Sequence, residues 1–555
     1  MKPLKALILS AWFLLPVFSA NGQFVPGASQ YHEQALLFSQ INYTGSARMQ
    51  GIGGAQVSLG GDISSALSNP AGLGFYNRSE FTFTPSLNSL NNNSTYIGSQ
   101  SSDSRAKFNF DNLGVVWNKS KADHQPGAWR GGSFAISYSK VAEYNSNILY
   151  NGINPDNDII DMYVQDANRS LVGSQSNPFG FGTLGFETYM ISEFGDVFQG
   201  SSGEEVENFY GRTFFTEFPN EEFPTNQSES IETSGSQNYI SFAYGGNVDD
   251  RLYFGAGFNI STFNYQQTNI YRELYPTGSI MQRSTFSESL DVYATGVSGS
   301  FGLIGRPIDK LTIGISLMTP TLYAVEENYF VSVTANYNNF NMQDYEDYFI
   351  DNEEAIMPSN PDPDYLYTFA DYDSNVTLRD ENYTNDLIYD YTLTTPLRVN
   401  GGATYFLGKL GFISADIEYV DYSTMVLQRR GGDAFLSDQN RSIRDFYTNT
   451  INYRIGGETR FDKFRARAGF AYYGDPYKRQ PGLSQLDRSR KAISLGGGYR
   501  NSNFFIDLAA TTMFAKSYYS PYTVDVELDP GLVQNHLVQI DHRDLHFRVS
   551  VGFFF

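Results

Sequence analysis

The sequence predicts an all-β fold, a transmembrane antiparallel β-barrel of about 14 strands with a small N-terminal hatch inside its lumen. Three observations predict it: an aromatic-rich composition, a last segment in which apolar and polar residues alternate, and links that are alternately short and long. The 555-residue chain holds 40 Tyr, 44 Phe and 51 Gly and no Cys. A membrane barrel uses aromatic residues in its lipid-facing band and at both interfaces. The mean hydropathy of -0.35 argues against a helical membrane protein.

A secretory signal peptide is predicted over residues 1–22. Two lysines precede an apolar run over residues 6–18, and small residues follow at Ala20 and Gly22, which is the order that a signal peptidase reads. We expect cleavage after Gly22, with cleavage after Ala20 as the alternative. The run is shorter than the roughly 20 residues of a membrane-spanning helix, and a short membrane anchor is the competing interpretation. Export of a barrel predicts localisation in the bacterial outer membrane.

The last segment is the clearest strand. Its residues alternate between an apolar set and a more polar one, as expected for a strand with two different faces. The apolar set is Leu545, Phe547, Val549, Val551, Phe553 and Phe555. We expect this set to face lipid, and His546 and Arg548 to face the lumen. An arginine at Val549 should therefore be costly, and an arginine at Ser550 much milder.

The barrel is predicted over residues 80–555. Tight links such as Asp249-Asp250 and Gly408-Lys409 alternate with long ones. Bacterial barrels have short periplasmic turns and longer extracellular loops, and an even strand count places both chain ends on the periplasmic side. The long links, which we expect to be extracellular, are residues 148–235, 335–385, 429–449, 474–491 and 520–539.

The charge of the chain limits its partners. A net charge of -22 makes nucleic acid an unsuitable partner, because binding phosphate requires a basic face. Residues 343–386 hold thirteen Asp or Glu and one basic residue, Arg379. A solvated acidic loop explains this run. The alternative is that divalent cations bridge its carboxylates to lipopolysaccharide, because hard cations prefer carboxylate oxygens.

Residues 23–79 are predicted to form the hatch. Between Phe38 and Pro85 the chain is dense in Gly, Ser and Ala, which suits a compact element inside a barrel. Its glycine pairs are Gly53, Gly54, Gly60 and Gly61. A short helix is predicted over residues 64–67, ended by Pro70, because a proline disfavours helix in the residue before it.

These motifs resemble those of the FadL/TodX family of outer-membrane transporters for hydrophobic compounds. The resemblance rests on Gly-Gly-Ala at residues 53–55, Gly-Gly-Asp at 60–62 and Ser-Asn-Pro-Ala-Gly at 68–72, which lead into a first strand. It continues through Thr319-Pro320 and through Thr395-Pro396, and covers the chain from about Phe38 to its end, except for residues 148–235.

The resemblance implies a monomeric barrel of fourteen strands in contact with outer-membrane lipid and lipopolysaccharide. It implies capture of a hydrophobic small molecule, such as a long-chain fatty acid, followed by passive diffusion and lateral exit into the membrane. The hatch motif carries over to Asn69, Pro70 and Ala71. We expect Asn69 to act as a latch, because its amide both donates and accepts hydrogen bonds. The alternative is that these residues only form the turn into the first strand.

No motif indicates an enzyme, a cofactor or a metal. Gly51-Ile52-Gly53-Gly54 lacks the preceding strand and the third glycine of a dinucleotide site. His542 and His546 are four residues apart, which on a strand separates them by about 13 Å, too far for one metal ion. A general porin and a surface adhesin whose acidic loops bind an external partner remain alternative functions. The ligand is left open among fatty acids, aromatic hydrocarbons and haem.

Overall fold

The computed structural model describes most of the chain. The described residues are 31–41, 45–121, 127–171, 181–188, 190–194, 197–199, 205–207, 213–216, 224–279, 281–337, 374–378, 388–429, 434–479, 486–524 and 536–555. The predicted signal peptide lies outside them, as does most of the acidic segment 343–386. No helix in these ranges is both long and apolar enough to cross a membrane.

The chain is built mainly from strands. In chain order they are β1 Glu80–Tyr96, β2 Ser99–Ser120, β3 Trp129–Glu143, β4 Ser146–Asn154, β5 Ile191–Phe194, β6 Val197–Gln199, β7 Glu205–Glu207, β8 Thr213–Thr216, β9 Thr225–Val248, β10 Leu252–Leu274, β11 Met281–Ile308, β12 Leu311–Met318, β13 Leu322–Tyr337, β14 Ser374–Leu378, β15 Ile388–Thr394, β16 Arg398–Phe406, β17 Gly411–Asp421, β18 Val426–Gln428, β19 Asn449–Phe461, β20 Phe464–Tyr473, β21 Arg490–Arg500, β22 Phe504–Tyr519 and β23 Val538–Phe554. The helices are α1 Tyr31–Ser39, α2 Ala47–Gly51, α3 Ser65–Ser68, α4 Ile159–Leu171, α5 Phe181–Glu187 and α6 Ala434–Phe446, with 3₁₀ turns at Pro70–Phe75, Gly408–Leu410 and Tyr422–Thr424.

The strands close into an antiparallel barrel, as predicted. Four of its fourteen wall strands are interrupted and consist of two segments each: β3 with β4, β12 with β13, β15 with β16, and β17 with β18. β1 pairs with β23 from Glu80 opposite Phe554 to Thr95 opposite Gln539, which closes the ring. Pro320 and Pro396 lie at two of the interruptions, where a proline costs no ladder hydrogen bond.

The wall alternates between a lipid-type outer face and a lumenal face. In β12, Ile313 and Ile315 are 52% and 53% exposed, whereas Thr312 and Ser316 are buried. The same alternation puts large apolar side chains on the outside of every neighbouring strand. A band of exposed apolar residues around a closed sheet is the surface that a bilayer covers.

The links separate the two ends of the barrel. We call the end with links 121–128, 249–251, 309–310, 407–410, 462–463 and 501–503 the short-turn rim, and the opposite end the long-loop rim. The predicted loop 148–235 is too wide, because β4 continues to Asn154 and β9 begins at Thr225. The start of β9, over residues 225–235, is almost entirely polar, so alternation of hydropathy does not reveal it. The predicted loop 429–449 contains a helix, α6.

The register of the last strand agrees with the prediction. Phe553 is 52% exposed and Phe555 67%, whereas Arg548 is buried. The expectation that Ser550→Arg would be mild is wrong. Ser550 is fully buried, accepts a hydrogen bond from the backbone N–H of Ala47 at 2.7 Å and shares another with Thr84. The lumen is filled at this position, so it has no room for an arginine.

Both substitutions in β23 are therefore expected to be harmful. Val549→Arg should cost about 2–4 kcal/mol because it places a charge on the lipid face. Ser550→Arg should displace α2 from the wall. Folding in detergent, followed by heat-dependent migration on gels, measures both, with Val549→Ile as the control. If Ser550→Arg folds like the wild type, the contact between α2 and β23 is not present in the protein.

Candidate functional site

The lumen contains the N-terminal segment, which we define as residues 31–41 and 45–79. From Ser46 to Gly74 nearly every residue is buried. α2 lies against β20 to β23, and the 3₁₀ turn at residues 70–75 lies against β9 to β11. The segment therefore crosses the lumen and contacts opposite sides of the wall.

α1 lies in an apolar compartment towards the long-loop rim. Phe38 is fully buried, stacks on Phe263 with 4.1 Å between ring centroids, and meets Tyr144 and Tyr265 edge-on. The same cluster includes Leu290, Val292, Ala294, Tyr323, Val325, Tyr391 and Leu393 from the wall. The lumen is therefore lined with aromatic and aliphatic side chains around α1.

α6 packs on α1 from the long-loop rim. The ring of His32 stacks on Phe446 at 5.2 Å, and its backbone N–H donates to the side chain of Gln439 at 3.3 Å. Burial lowers the pKa of His32 to about 4, against a smaller opposing effect of the hydrogen bond with Gln439. The imidazole is therefore neutral at neutral pH, as its apolar contacts require.

Hydrogen bonds from the wall hold the backbone of the N-terminal segment. The carboxylate of Asp416 in β17 accepts from the backbone N–H groups of Gln56 at 2.7 Å and Val57 at 2.9 Å. The hydroxyl of Thr312 donates to the carbonyl of Ser58 at 2.8 Å. These partners satisfy backbone groups that would otherwise be buried without a hydrogen bond.

Asn69 lies at the meeting point of two parts of the segment and the wall. Its side-chain amide donates to the carbonyl of Val57 at 2.6 Å and, at 3.4 Å, to that of Ile315 in β12, and its oxygen accepts from the backbone N–H of Ala71 at 3.1 Å. Pro70 begins the 3₁₀ turn, and Ala71 is fully buried. The predicted helix over residues 64–67 is α3, one residue later.

The four predicted glycines adopt backbone angles that other residues rarely take. Gly53, Gly54, Gly60 and Gly61 all have φ between 65° and 78°. They turn the chain sharply between α2 and α3, which keeps the segment thin enough to lie inside the lumen. Gly53 also lies directly against the backbone of Phe470 in β20.

The wall meets the segment with glycines of its own. A Cβ atom added at Gly469 would lie 2.2 Å from the backbone of both Ile52 and Gly53, and one at Gly302 would lie 1.7 Å from the side chain of Asn69. We call this set the wall glycines: Gly245, Gly255, Gly302, Gly314, Gly456, Gly469 and Gly496. The absence of side chains at these positions lets the segment approach the wall at backbone distance.

A buried charge network joins α2 to the wall. Arg48 lies 3.9 Å from both Glu458 in β19 and Asp62, and donates to the carbonyl of Gly61 at 2.8 Å. Burial lowers the pKa of Arg48, but the carboxylates of Glu458 and Asp62 raise it above its ordinary value. Arg467 extends the network, 2.8 Å from Glu458. The guanidinium of Arg48 is therefore charged, and with the segment in the lumen this buried charge is balanced by Glu458 and Asp62.

The wall is interrupted where β3 bends into β4. β2 pairs with β3 only from Asn112 to Ser120, and among the described residues no backbone ladder joins residues 99–111 of β2 to β4. β4 instead packs behind the hairpin of β1 and β2, where Asn92 donates to the hydroxyl of Ser146 at 2.8 Å. Only side chains cross the gap, such as Lys107, which donates to Asn145 at 2.9 Å.

A cavity of about 190 Å³ adjoins this interruption. Its lining includes Leu37 from α1, Gly53 from the glycine turn, Tyr144 at the bend of β3, and the charged side chains of Asp111 and Lys140 beside the interruption. Tyr144 also forms part of the aromatic compartment around Phe38. The cavity therefore connects the apolar compartment, the N-terminal segment and the gap in the wall.

The long-loop end of the lumen is covered by α4. Its apolar face buries Ile159, Ile160 and Tyr163 against lumenal residues of β10, β11 and β13. The fully buried Glu273 of β10 accepts from the backbone N–H of Ile159 at 3.1 Å and from the hydroxyls of Tyr271 and Tyr275. α4 belongs to the segment between β4 and β9 for which the sequence offered no alignment.

The histidines of β23 do not converge on one site. His542 contacts Asn92 and Ser517, whereas His546 contacts Asn88 and Asp544. Within the described ranges, no group of three or more His, Cys, Asp or Glu side chains could hold a metal ion.

Sequence reasoning missed several residues that shape this site. Arg48 and Glu458 are far apart in sequence, and no local pattern pairs them. The wall glycines could have been recognised from the sequence. They occupy lumen-facing positions in the strands, where the alternation of apolar and polar residues predicts a polar side chain. The bend at Tyr144 carries no such signal, since no proline or glycine interrupts residues 133–147.

Comparisons with known proteins bear on the fold. No model of a protein family matches the chain, and no curated protein matches it. A solved FadL homologue from Pseudomonas aeruginosa is 12% identical, with a TM-score of 0.51 over 93% of this chain and 98% of that one. The toluene transporter TodX from P. putida is 12% identical, with a TM-score of 0.47 over 92% and 98% of the two chains. The chain thus has the fold of the FadL homologue, and the likeness to FadL/TodX barrels that its motifs indicate is confirmed at the level of the fold.

Proposed function

We propose that this chain is an outer-membrane channel for the passive diffusion of hydrophobic small molecules, in the class of long-chain fatty acids, with lateral exit through its wall. It acts as a monomer in contact with membrane lipid and lipopolysaccharide. The name of a similar solved structure, a FadL homologue, supports this class of ligand.

The observation that carries the proposal is the gap between β2 and β4. It opens beside Phe108 and Phe110, which are 62% and 51% exposed and belong to the lipid-facing band. From Ala106 to Asp111 the unpaired edge of β2 spans about 17 Å at the usual strand rise. A hydrophobic molecule leaving here enters the bilayer directly and never meets water, which is the favourable route for apolar surface.

The contents of the lumen favour the same route. The compartment around Phe38 is lined with aromatic side chains and joins the cavity at Tyr144. Towards the short-turn rim the N-terminal segment, with its hydrogen bonds and buried charges, lies across the axis. A polar pore for small solutes, as in a general porin, would leave this space open.

We propose that the N-terminal segment is a hatch and that Asn69, Pro70 and Ala71 help to keep it closed. Asn69 bonds to two carbonyls that belong to different elements, the segment and β12. Pro70 fixes the backbone at the start of the 3₁₀ turn at little entropic cost. Gly53, Gly54, Gly60 and Gly61 give the hatch its sharp turns.

Cross-linking across the gap tests lateral exit. The chain has no cysteine, so the pair K107C/N145C can be joined by a short bifunctional thiol reagent without side reactions. We expect uptake of radiolabelled oleate into vesicles to fall at least about tenfold, which corresponds to roughly 1.4 kcal/mol on the barrier. Cleavage of a reducible linker should restore uptake.

The matched control is L87C/F547C, which joins the paired strands β1 and β23 on the lipid face at the same level and away from the gap. Its cross-link should leave uptake unchanged. If complete cross-linking of K107C/N145C has no effect on uptake, exit does not occur through this gap. If the wild type takes up no oleate and none of a panel of apolar compounds, the transport proposal itself fails.

A further inference from the structure

The short-turn rim is basic although the whole chain is acidic. The net charge is -22, yet each of the six links at this rim has a Lys or Arg within two residues. These residues are Lys119, Lys121, Arg251, Lys310, Lys409, Lys463 and Arg500. The two ends of the barrel therefore differ in charge, because residues 343–386 at the other end are acidic.

Five lysines of this rim are free to bind an external anion. Each is exposed, and none has an ion-pair partner within the part of the chain that is described. The nearby carboxylates are partly neutralised by arginines, since Asp309 lies 3.3 Å from Arg251 and Asp250 lies 3.6 Å from Arg130. We call these five the lysine collar: Lys119, Lys121, Lys310, Lys409 and Lys463.

The collar lies at the edge of the lipid-facing band. In each of its four links, a lysine is within two residues of an exposed apolar side chain. These side chains are Trp117, Ile308, Leu407, Leu410, Phe461 and Phe464, which are 46% to 69% exposed. Apolar side chains in the bilayer with ammonium groups just beyond them place the collar at the depth of lipid headgroups.

We propose that the lysine collar binds the phosphate groups of anionic glycerophospholipids in the leaflet at the short-turn rim. The ammonium group is a compact cation that binds phosphate as a point charge. Lysines spread around the rim contact separate lipids, so the collar enriches anionic lipid in the shell around the barrel. It also disfavours the reverse orientation in a membrane with only one anionic leaflet.

Tryptophan fluorescence reports directly on this rim. The chain has three tryptophans, Trp12, Trp117 and Trp129, and the last two flank the link between β2 and β3. Trp12 lies in the predicted signal peptide, so in the mature protein folded into phosphatidylcholine vesicles all tryptophan emission comes from the rim. Two lipid mixtures are compared: brominated phosphatidylglycerol with ordinary phosphatidylcholine, and brominated phosphatidylcholine with ordinary phosphatidylglycerol. The bromine atoms quench the tryptophans that they contact. The ratio of quenching in the two mixtures gives the relative affinity of the lipid shell for the two headgroups.

We expect a preference for phosphatidylglycerol of about fivefold at low salt, which falls as the salt concentration rises. The variant K119Q/K121Q/K310Q/K409Q/K463Q should lose it. The control R272Q/R283Q/R441Q/K491Q/R543Q removes five exposed basic residues near the long-loop rim and should retain it. Equal quenching by both lipids in the mature protein overturns the proposal and leaves an acidic protein as the partner of the collar. Unchanged preference in the lysine variant overturns it as well.

Discussion

Gly469→Val is expected to open the barrel to ions. The Cβ of a valine would overlap the backbone of Ile52 and Gly53, and neither wall nor hatch can relieve this by moving one flexible side chain. Overpacking of a close contact costs typically 1–3 kcal/mol, and more where backbone must move. The N-terminal segment should leave its seat while the strands, which tolerate valine well, still pair. Single-channel recording should show a continuous conductance that the wild type lacks.

Gly497→Val is the matched control. It lies in the adjacent strand β21 on the outer face, and the nearest atom to its added Cβ is 3.9 Å away. It should fold and remain closed to ions. If the Gly469 variant also remains closed at full barrel yield, the N-terminal segment does not block the lumen and the hatch proposal is wrong.

Glu273→Ala is expected to release α4 from the long-loop end. The substitution removes the acceptor for the N–H of Ile159, the amide of Gln227 and the hydroxyls of Tyr271 and Tyr275. Each buried donor left without an acceptor costs about 1–3 kcal/mol. Hydrogen exchange of the α4 amides should become at least about a hundredfold faster, which corresponds to roughly 2.7 kcal/mol of local stability.

Two variants bracket this effect. Glu273→Gln retains an acceptor oxygen and should show intermediate exchange. Glu326→Ala removes an exposed carboxylate from β13 and should leave α4 unchanged. If all three variants exchange like the wild type, α4 is held by its apolar face alone and Glu273 has no role in closing the lumen.

The barrel was predictable because the patterns that specify its strands and turns are formed by neighbouring residues. The alternation in β23 and tight turns such as Asp249-Asp250 are examples, and both can be recognised directly in the sequence. The polar start of β9 was not predictable, because alternation has almost no apolar member over residues 225–235. The bend at Tyr144 depends on how β4 packs behind β1, which is a contact between distant parts of the chain.

The candidate site was predictable only in part. The motif from Ser68 to Gly72 identified Asn69. Its hydrogen-bond partners Val57 and Ile315 are distant in sequence, and only the fold brings them together. Arg48 gave no signal, since its partner Glu458 is some 400 residues later. Ser550 was misjudged because alternation separates the two faces of a strand but does not tell whether the lumenal side is filled.

The wall glycines also constrain the order of folding. They leave no clearance between the N-terminal segment and the wall, and Ala47 contacts Ser550, which is 503 residues away along the chain. The ladder between β1 and β23 joins the most distant strands of the barrel, and such non-local pairing is intrinsically slow to form. If the barrel closed first, the backbone of the N-terminal segment would have to enter a lumen that has no spare room for it. We therefore expect the N-terminal segment to be enclosed as the last ladder zips, so that closure of the barrel and seating of the segment are one kinetic step.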